Sequence, residues 1–338
     1  AGKEAMKQAI AQMRTSRPRP RKTPAENGEL FQVPMLMLRQ GELWEPFEDS
    51  HLLQGDWRLL DYPAELPAFR KPDEKLQGGH MYLDKEKVKF TDFDTPKIAA
   101  PLFEYHADCR QVDLVAWLDR NIYEDTILPD EKAAFINKAV DLLVDARGFT
   151  MDELVYRKFR LREALNHRIE EIKRQAMKKE HQTLLLKPEE FIADDRSQIT
   201  FQLGRYAWDW EYRGCRELPK HFYPQIGNLK AEGEEFECAV FLATQLEGVQ
   251  FWVRNVERKA TSFSLQTGTD RFYPDFLCQL ENGKIMAVEY KNKRDWHLPD
   301  NIEKRQIGEL WEKRSNGACL FIMPEGKDFE AIRAKVRE

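Results

Sequence analysis

The stretches Thr269 to Leu280 and Lys284 to Lys291 flank Glu281-Asn282-Gly283, and this pairing of apolar runs across a short Asn-Gly turn commits the region to a β-hairpin. A three-residue loop with Gly283 in the left-handed conformation pairs Leu280 with Lys284 and sets Asp275 opposite Glu289. Side chains alternate along a strand, so Lys291 joins Glu289 on that face. A two-residue turn would instead pair Asp275 with Tyr290 and send Glu289 to the other face. The three-residue register is the one expected. Ionised groups inside apolar strands are costly to desolvate unless they are paired, hydrogen-bonded or bound to metal, so three of them together need an explanation.

The neighbouring pattern supplies a context for the hairpin. A helix is predicted over Gly233 to Leu246, a strand over Val249 to Val256, the two hairpin strands, a helix over Asn301 to Ser315 and a strand over Ala318 to Met323. The order α-β-β-β-α-β makes an α/β fold with one mixed sheet flanked by helices and the hairpin at its centre.

Two carboxylates on one face are hard oxygen ligands suited to Mg²⁺ or Mn²⁺, an ion that lowers the pKa of bound water and neutralises charge on a pentavalent phosphorus. A lysine beside them stabilises the deprotonated water. Asp275, Glu289 and Lys291 are therefore expected to hydrolyse a phosphodiester. Of the four Pro-Asp pairs, at Asp73, Asp130, Asp275 and Asp300, only that at Asp275 precedes an acid-x-Lys triplet in an apolar strand. The alternative is an ion pair closing the end of a hairpin.

The remainder of the chain bounds the setting. A length of 338 residues, 42% hydrophobic, favours several cores over one, and a charged fraction of 33% with a net charge of only −5 confines any basic surface to patches. Five cysteines (Cys109, Cys215, Cys238, Cys278, Cys319) without CxxC spacing argue against a disulfide framework or a zinc site. No run reaches the roughly 18 apolar residues of a membrane span, and no signal peptide opens the chain, so a soluble cytoplasmic protein is expected. The seven histidines lack HxH or HExxH spacing.

Four segments are expected. Residues 1–28 hold a helix from Lys3 to Arg14, entered in mid-course as in part of a longer chain, and a basic proline-rich linker. Residues 29–108 form a small strand-rich segment with runs at Val33 to Leu38, Trp57 to Leu60 and Met81 to Phe90. A mainly helical domain covers 109–190, with apolar stripes at Val112, Leu114, Val115, Leu118 and at Phe135, Ile136, Ala139, Val140, Leu143. A capping box at Thr150 opens a long helix to about Leu186, rich in Lys and Arg from Arg157 to Lys179: a solvated face, a DNA-backbone contact or a strut. The fourth segment, 191–338, contains the hairpin. Its early part mixes Trp208, Trp210, Tyr212, Phe222 and Tyr223 with basic residues, a composition that suits base stacking as well as core filling.

Pro274-Asp275 followed by Glu289-Tyr290-Lys291 on the next strand resembles the PD-(D/E)xK nuclease superfamily. The segments Lys220 to Gly227, Gly233 to Ala239, Phe251 to Asn255, Thr269 to Phe276 and Ile307 to Trp311 are similar to the C-terminal part of helicase-nucleases related to the restriction subunit of type III restriction enzymes. The likeness covers about Arg205 to Lys327 and is fainter from Pro34 to Glu48 and through the helical middle. It implies a metal-dependent DNA endonuclease of restriction or antiviral defence. It also implies a further acid on the first helix, Glu237, with Glu234 one turn earlier, and the Tyr290 carbonyl as a metal ligand beside Asp275, Glu289 and Glu237. An upstream superfamily 2 helicase or ATPase region is implied as well, absent from this chain because no GxxxxGK[ST] loop occurs. DNA contacts are expected from Arg254, Arg258, Lys259, Lys293 and Arg294. The other reading is a catalytically silent nuclease-fold DNA-binding module, or a scaffold that docks partners of a larger helicase complex.

Overall fold

A computed structural model describes residues 22–55, 57–71 and 110–338, with 79–84 and 87–92 as backbone. The expected helix from Lys3 to Arg14 and the cationic run 17–21 lie outside the described residues. The chain divides into two units: residues up to His51 together with His181–Glu338, and Leu52–Glu180. Both mix helices with strands, in the α/β class.

The first unit begins with strands β1 (Phe31–Pro34), β2 (Met37–Gln40) and β3 (Leu43–Pro46). They were expected to belong with 29–108, yet their partners lie far along the chain. β2 pairs with β3 and with β6 (Phe191–Ile192), and β1 pairs with β7 (Gln198–Phe201), matching Phe31 to Phe201. The end of the expected linker is also docked: Ala25 is buried in a 3-10 turn, and its N–H donates to the Phe222 carbonyl at 3.1 Å.

The second unit contains the hairpin β4–β5 (Gly79–Asp84, Lys87–Asp92) and helices α1 (Gln111–Asn121), α2 (Pro129–Asp145), α3 (Met151–Tyr156) and α4 (Lys158–Leu185), the last belonging here up to Glu180. Every residue of the Phe135 to Leu143 stripe is buried, whereas Val112 is exposed and Leu114 and Leu118 face the core. The capping box forms, Thr150 Oγ1 accepting the Glu153 N–H and the Glu153 carboxylate accepting the Thr150 N–H at 2.8 Å. The single long helix does not: Arg157 leaves helical geometry and splits it into α3 and α4. Trp57 to Leu60 is no strand but leads into a 3-10 turn over Leu59–Asp61. Part of the charge run is used internally, Lys173 meeting Glu124 at 2.8 Å and Arg168 donating to the Pro63 carbonyl.

Returning to the first unit, α5 (Glu234–Thr244), β8 (Val249–Arg254), the short pair β9 (Leu265–Gln266) and β10 (Arg271–Phe272), β11 (Phe276–Leu280), β12 (Ile285–Val288), α6 (Pro299–Arg314), β13 (Cys319–Ile322) and α7 (Phe329–Val336) follow in that order. Four strands make one sheet in the order β13-β12-β11-β8, antiparallel except for β12 with β13. α6 is the crossover that a parallel pair requires. Alternation divides the apolar residues between two faces. Cys278, Met286, Trp252 and Leu320 pack with Cys238 and Leu242 of α5 and Ile332 of α7. On the other face Trp311 of α6 meets Phe263, and Gly308 lies so close to Phe321 that a Cβ would come within 2.5 Å of its ring. The outer edge of β8 is covered by 220–222, where the Trp252 N–H donates to the Lys220 carbonyl and the Phe222 N–H to the Trp252 carbonyl. Among the described residues no helix is long and apolar enough to cross a membrane.

Candidate active site

The hairpin turn fixes the register. Gly283 has φ +86°, its N–H donates to the Leu280 carbonyl, and the Leu280 N–H donates to the Lys284 carbonyl at 2.9 Å. Phe276 then pairs with Val288 and Gln279 with Ile285, so one further step sets Asp275 opposite Glu289. This is the three-residue register. Opposed residues of an antiparallel pair hold their Cβ atoms about 4.5–5.5 Å apart, within joint reach of one small ligand.

The end of the sheet where β8 and β12 finish and β11 begins gathers the ionisable groups. Asp275 is anchored on both sides: Oδ2 accepts the Tyr290 N–H at 2.8 Å, and the backbone carbonyl accepts the Asn255 N–H at 3.0 Å. Asn255, itself buried, donates from Nδ2 to the Pro274 carbonyl, so the Pro274-Asp275 corner has no freedom to swing. Glu289 is 2% exposed. Its Oε1 lies 2.9 Å from Lys291 Nζ and 3.7 Å from Lys304 Nζ, while Oε2 is buried with no hydrogen-bond partner among the described residues. Burial, and then the Asp275 charge, push the Glu289 carboxyl up to about 8 against the pull of Lys291 and Lys304. Burial works against the Lys291 charge, yet Glu289, Asp275 and Glu235 hold its pKa above the ordinary lysine value.

Arg254 occupies a different place from the one expected. It was assigned to DNA, but at 9% exposure its guanidinium lies over the Phe276 ring and turns inward. Nη1 donates to Asp275 Oδ1 at 3.0 Å and to the Asp275 carbonyl at 2.7 Å, and Nη2 lies 2.5 Å from Glu235 Oε1. Buried His221 fixes the backbone beneath it, Nε2 accepting the Arg254 N–H at 3.1 Å while Nδ1–H donates to the Tyr223 carbonyl. That tautomer is neutral, consistent with burial lowering the His221 pKa to about 4.

On α5 the acid that reaches Arg254 is Glu235, not Glu237. Glu237 forms an ion pair with Lys327 at 2.6 Å, both about half-exposed, and Glu234 accepts the Tyr290 hydroxyl at 2.8 Å. Glu235 alone of these turns toward Arg254, and burial followed by the Asp275 charge raises its pKa. Of the remaining cations, Arg258 faces Asp270 at 3.5 Å, Lys259 pairs with Asp209, Lys293 lies 3.9 Å from Glu325 with its side chain 85% exposed, and Arg294 is exposed. Part of the aromatic stretch builds structure, while Trp210 is exposed. Tyr206 stacks on Tyr223 at 4.4 Å and donates its hydroxyl to the Arg254 carbonyl, and Phe222 is fully buried.

Lys304 escaped the sequence reading. It stands on the sheet-facing side of α6, one turn before Gly308 and two before Trp311, and its spacing within that apolar stripe was the available signal.

Among the described residues no group of three or more His, Cys, Asp or Glu is placed to hold a metal ion. The buried Glu289 Oε2 and the Asp275 carboxylate, on opposed residues of the hairpin, are nonetheless oxygens of the type a hard divalent ion takes. Each carboxylate oxygen has two lone pairs, so the Arg254 bond does not exhaust Asp275 Oδ1. No family model, curated protein or solved structure matches this chain.

Proposed function

We propose that this chain is a metal-dependent endonuclease that hydrolyses phosphodiester bonds in DNA, its four-stranded sheet and flanking helices forming a PD-(D/E)xK core. The observation that supports it most is Glu289. A carboxyl group 2% exposed, held at one oxygen by Lys291 and without a partner among the described residues at the other, is an arrangement that structural ion pairs avoid and a cation site uses. Asp275 and Glu289 would hold Mg²⁺ or Mn²⁺, with the Tyr290 carbonyl as a further donor. The ion would lower the pKa of a coordinated water and offset charge on phosphorus.

The chain's own groups account for the rest. Lys291 keeps its proton and so presents a fixed positive charge beside the position where an attacking hydroxide develops. Tyr290 N–H and Asn255 keep Asp275 from rotating, and burial excludes water that would compete for Glu289. DNA would be followed by Arg258, Lys259, Lys293 and Arg294. The expected neighbour is a superfamily 2 motor or partner subunit of a restriction or phage-defence system.

One observation favours a second reading. Arg254 neutralises Asp275 and Glu235, which suits a nuclease fold retained for binding alone. Nicking of supercoiled plasmid with Mg²⁺ or Mn²⁺, compared for the wild type, Asp275→Ala and Lys291→Ala, separates the two. Cleavage by the wild type that drops at least about 10²-fold in both variants is expected from loss of a charge-stabilising group; equal rates in all three reject the assignment.

A further inference from the structure

The ion pairs around Glu289 bring a second lysine to a carboxyl group that already has one. Lys291 already meets Glu289 at 2.9 Å, and Arg254 serves Asp275 and Glu235. Lys304 arrives from another element, with Nζ 3.7 Å from the same Glu289 oxygen and 5.1 Å from the centre of the Phe272 ring. Its side chain is 29% exposed, so the ammonium is neither sealed in the core nor free in solvent. A lysine on an apolar, sheet-facing stripe beside Ile307, Gly308 and Trp311 is expensive there, since a leucine or methionine would fill the same volume without desolvating a charge.

We infer that Lys304 is a second cationic residue of this site and contacts a phosphate of the bound DNA, an inference that rests on the nuclease reading above. Formal charge supports the assignment. Once a divalent ion displaces the Glu289 proton, the charges of Asp275, Glu289 and Glu235 would be balanced by Arg254, Lys291 and Lys304, and the ion would leave an excess of two positive charges. A phosphodiester attacked by hydroxide bears two negative charges in its pentavalent transition state. Without Lys304 the site would fall one charge short. The 3.7 Å separation is longer than a hydrogen bond, so Lys304 is attracted by Glu289 without being committed to it and retains its donors for another acceptor.

The test uses the full chain with Lys304→Met, which keeps the stem over Phe272, and Lys304→Arg, which restores the charge. Plasmid nicking is measured in Mn²⁺. DNA affinity is measured separately in EDTA across a salt series, and Mn²⁺ affinity by calorimetry. The expected result is a loss of about 10²-fold in nicking and a salt slope shallower by about 0.9 for Lys304→Met, with Mn²⁺ affinity unchanged, the melting temperature no lower than that of the wild type and substantial rescue by Lys304→Arg. If Lys304→Met alters Mn²⁺ affinity but not the salt slope, Lys304 only positions Glu289 and the inference is overturned. Wild-type nicking matched by Lys304→Met, with equal slopes, overturns it while leaving the nuclease reading intact. If the wild type binds DNA without cutting, the nuclease reading fails, and the slope alone decides for or against the phosphate contact. Absence of DNA binding overturns both.

Discussion

Replacing Glu289 with Gln removes a buried ionisable carboxyl without changing shape, and the expected effect is a more stable protein. The carboxyl is pushed from 4.5 to about 8 on folding, chiefly by burial and then by Asp275. At pH 7 a group so shifted is about 2.5 pH units into the range where the unfolded chain has lost the proton and the folded chain retains it, a cost of about 3 kcal/mol at 1.36 kcal/mol per unit. Because the folded pKa is the higher one, the folded state binds more protons between 4.5 and 8, and stability falls as pH rises through that window. Glu289→Gln abolishes this fall. Lys291 loses its 2.9 Å partner, but with 27% of its side chain exposed it can turn to water, so a net gain of about 1–2 kcal/mol remains at pH 8. Six of the eight tryptophans lie in this unit, so urea unfolding followed by tryptophan fluorescence at pH 5, 7 and 8.5 reads it directly. Millimolar Mg²⁺ should raise the wild-type midpoint and leave that of Glu289→Gln unchanged. Equal pH slopes in the two proteins would refute the reasoning, since the buried carboxylate would then not be the source of the pH dependence.

Other consequences are equally direct. Glu235→Ala should impair plasmid nicking, whereas Glu237→Ala should cleave like the wild type and lose less than about 1 kcal/mol of stability, because its pair with Lys327 is half-exposed; the opposite ranking would restore the original choice of acid. Arg254→Ala should destabilise the unit by about 3–5 kcal/mol at neutral pH by stranding Asp275 beside Glu235, and a urea midpoint within error of the wild type would contradict the contacts described.

The hairpin was legible because local chemistry decides it. Gly283 supplies the left-handed residue, and period-two alternation then determines which side chains share a face. The stripes of α2 and the Thr150 capping box were legible for the same reason. What failed depended on longer range or on phase. Choosing between Glu235 and Glu237 requires the rotational setting of α5: two residues are about 200° of helix, so choosing wrongly selects the opposite side. That setting follows from the chain's entry at Gly233, with φ +99°, which composition does not reveal. β1 to β3 joined the C-terminal unit through pairings such as Phe31 with Phe201, to which local patterning is blind. Arg254 resembled any exposed strand-end cation until the acids around it were placed, and Phe222 and Tyr223 of the aromatic segment proved to be buried beside β8. Lys304 was hidden among many lysines of charged helices, distinguishable only once α6 had a buried face.

The most direct measurement is anomalous diffraction from crystals soaked in Mn²⁺. A peak within ligand distance of both Glu289 Oε2 and the Asp275 carboxylate is the predicted outcome, with Arg254 sharing or vacating Oδ1. Density showing Arg254 unmoved and no ion at saturating Mn²⁺ would contradict a metal-dependent active site here.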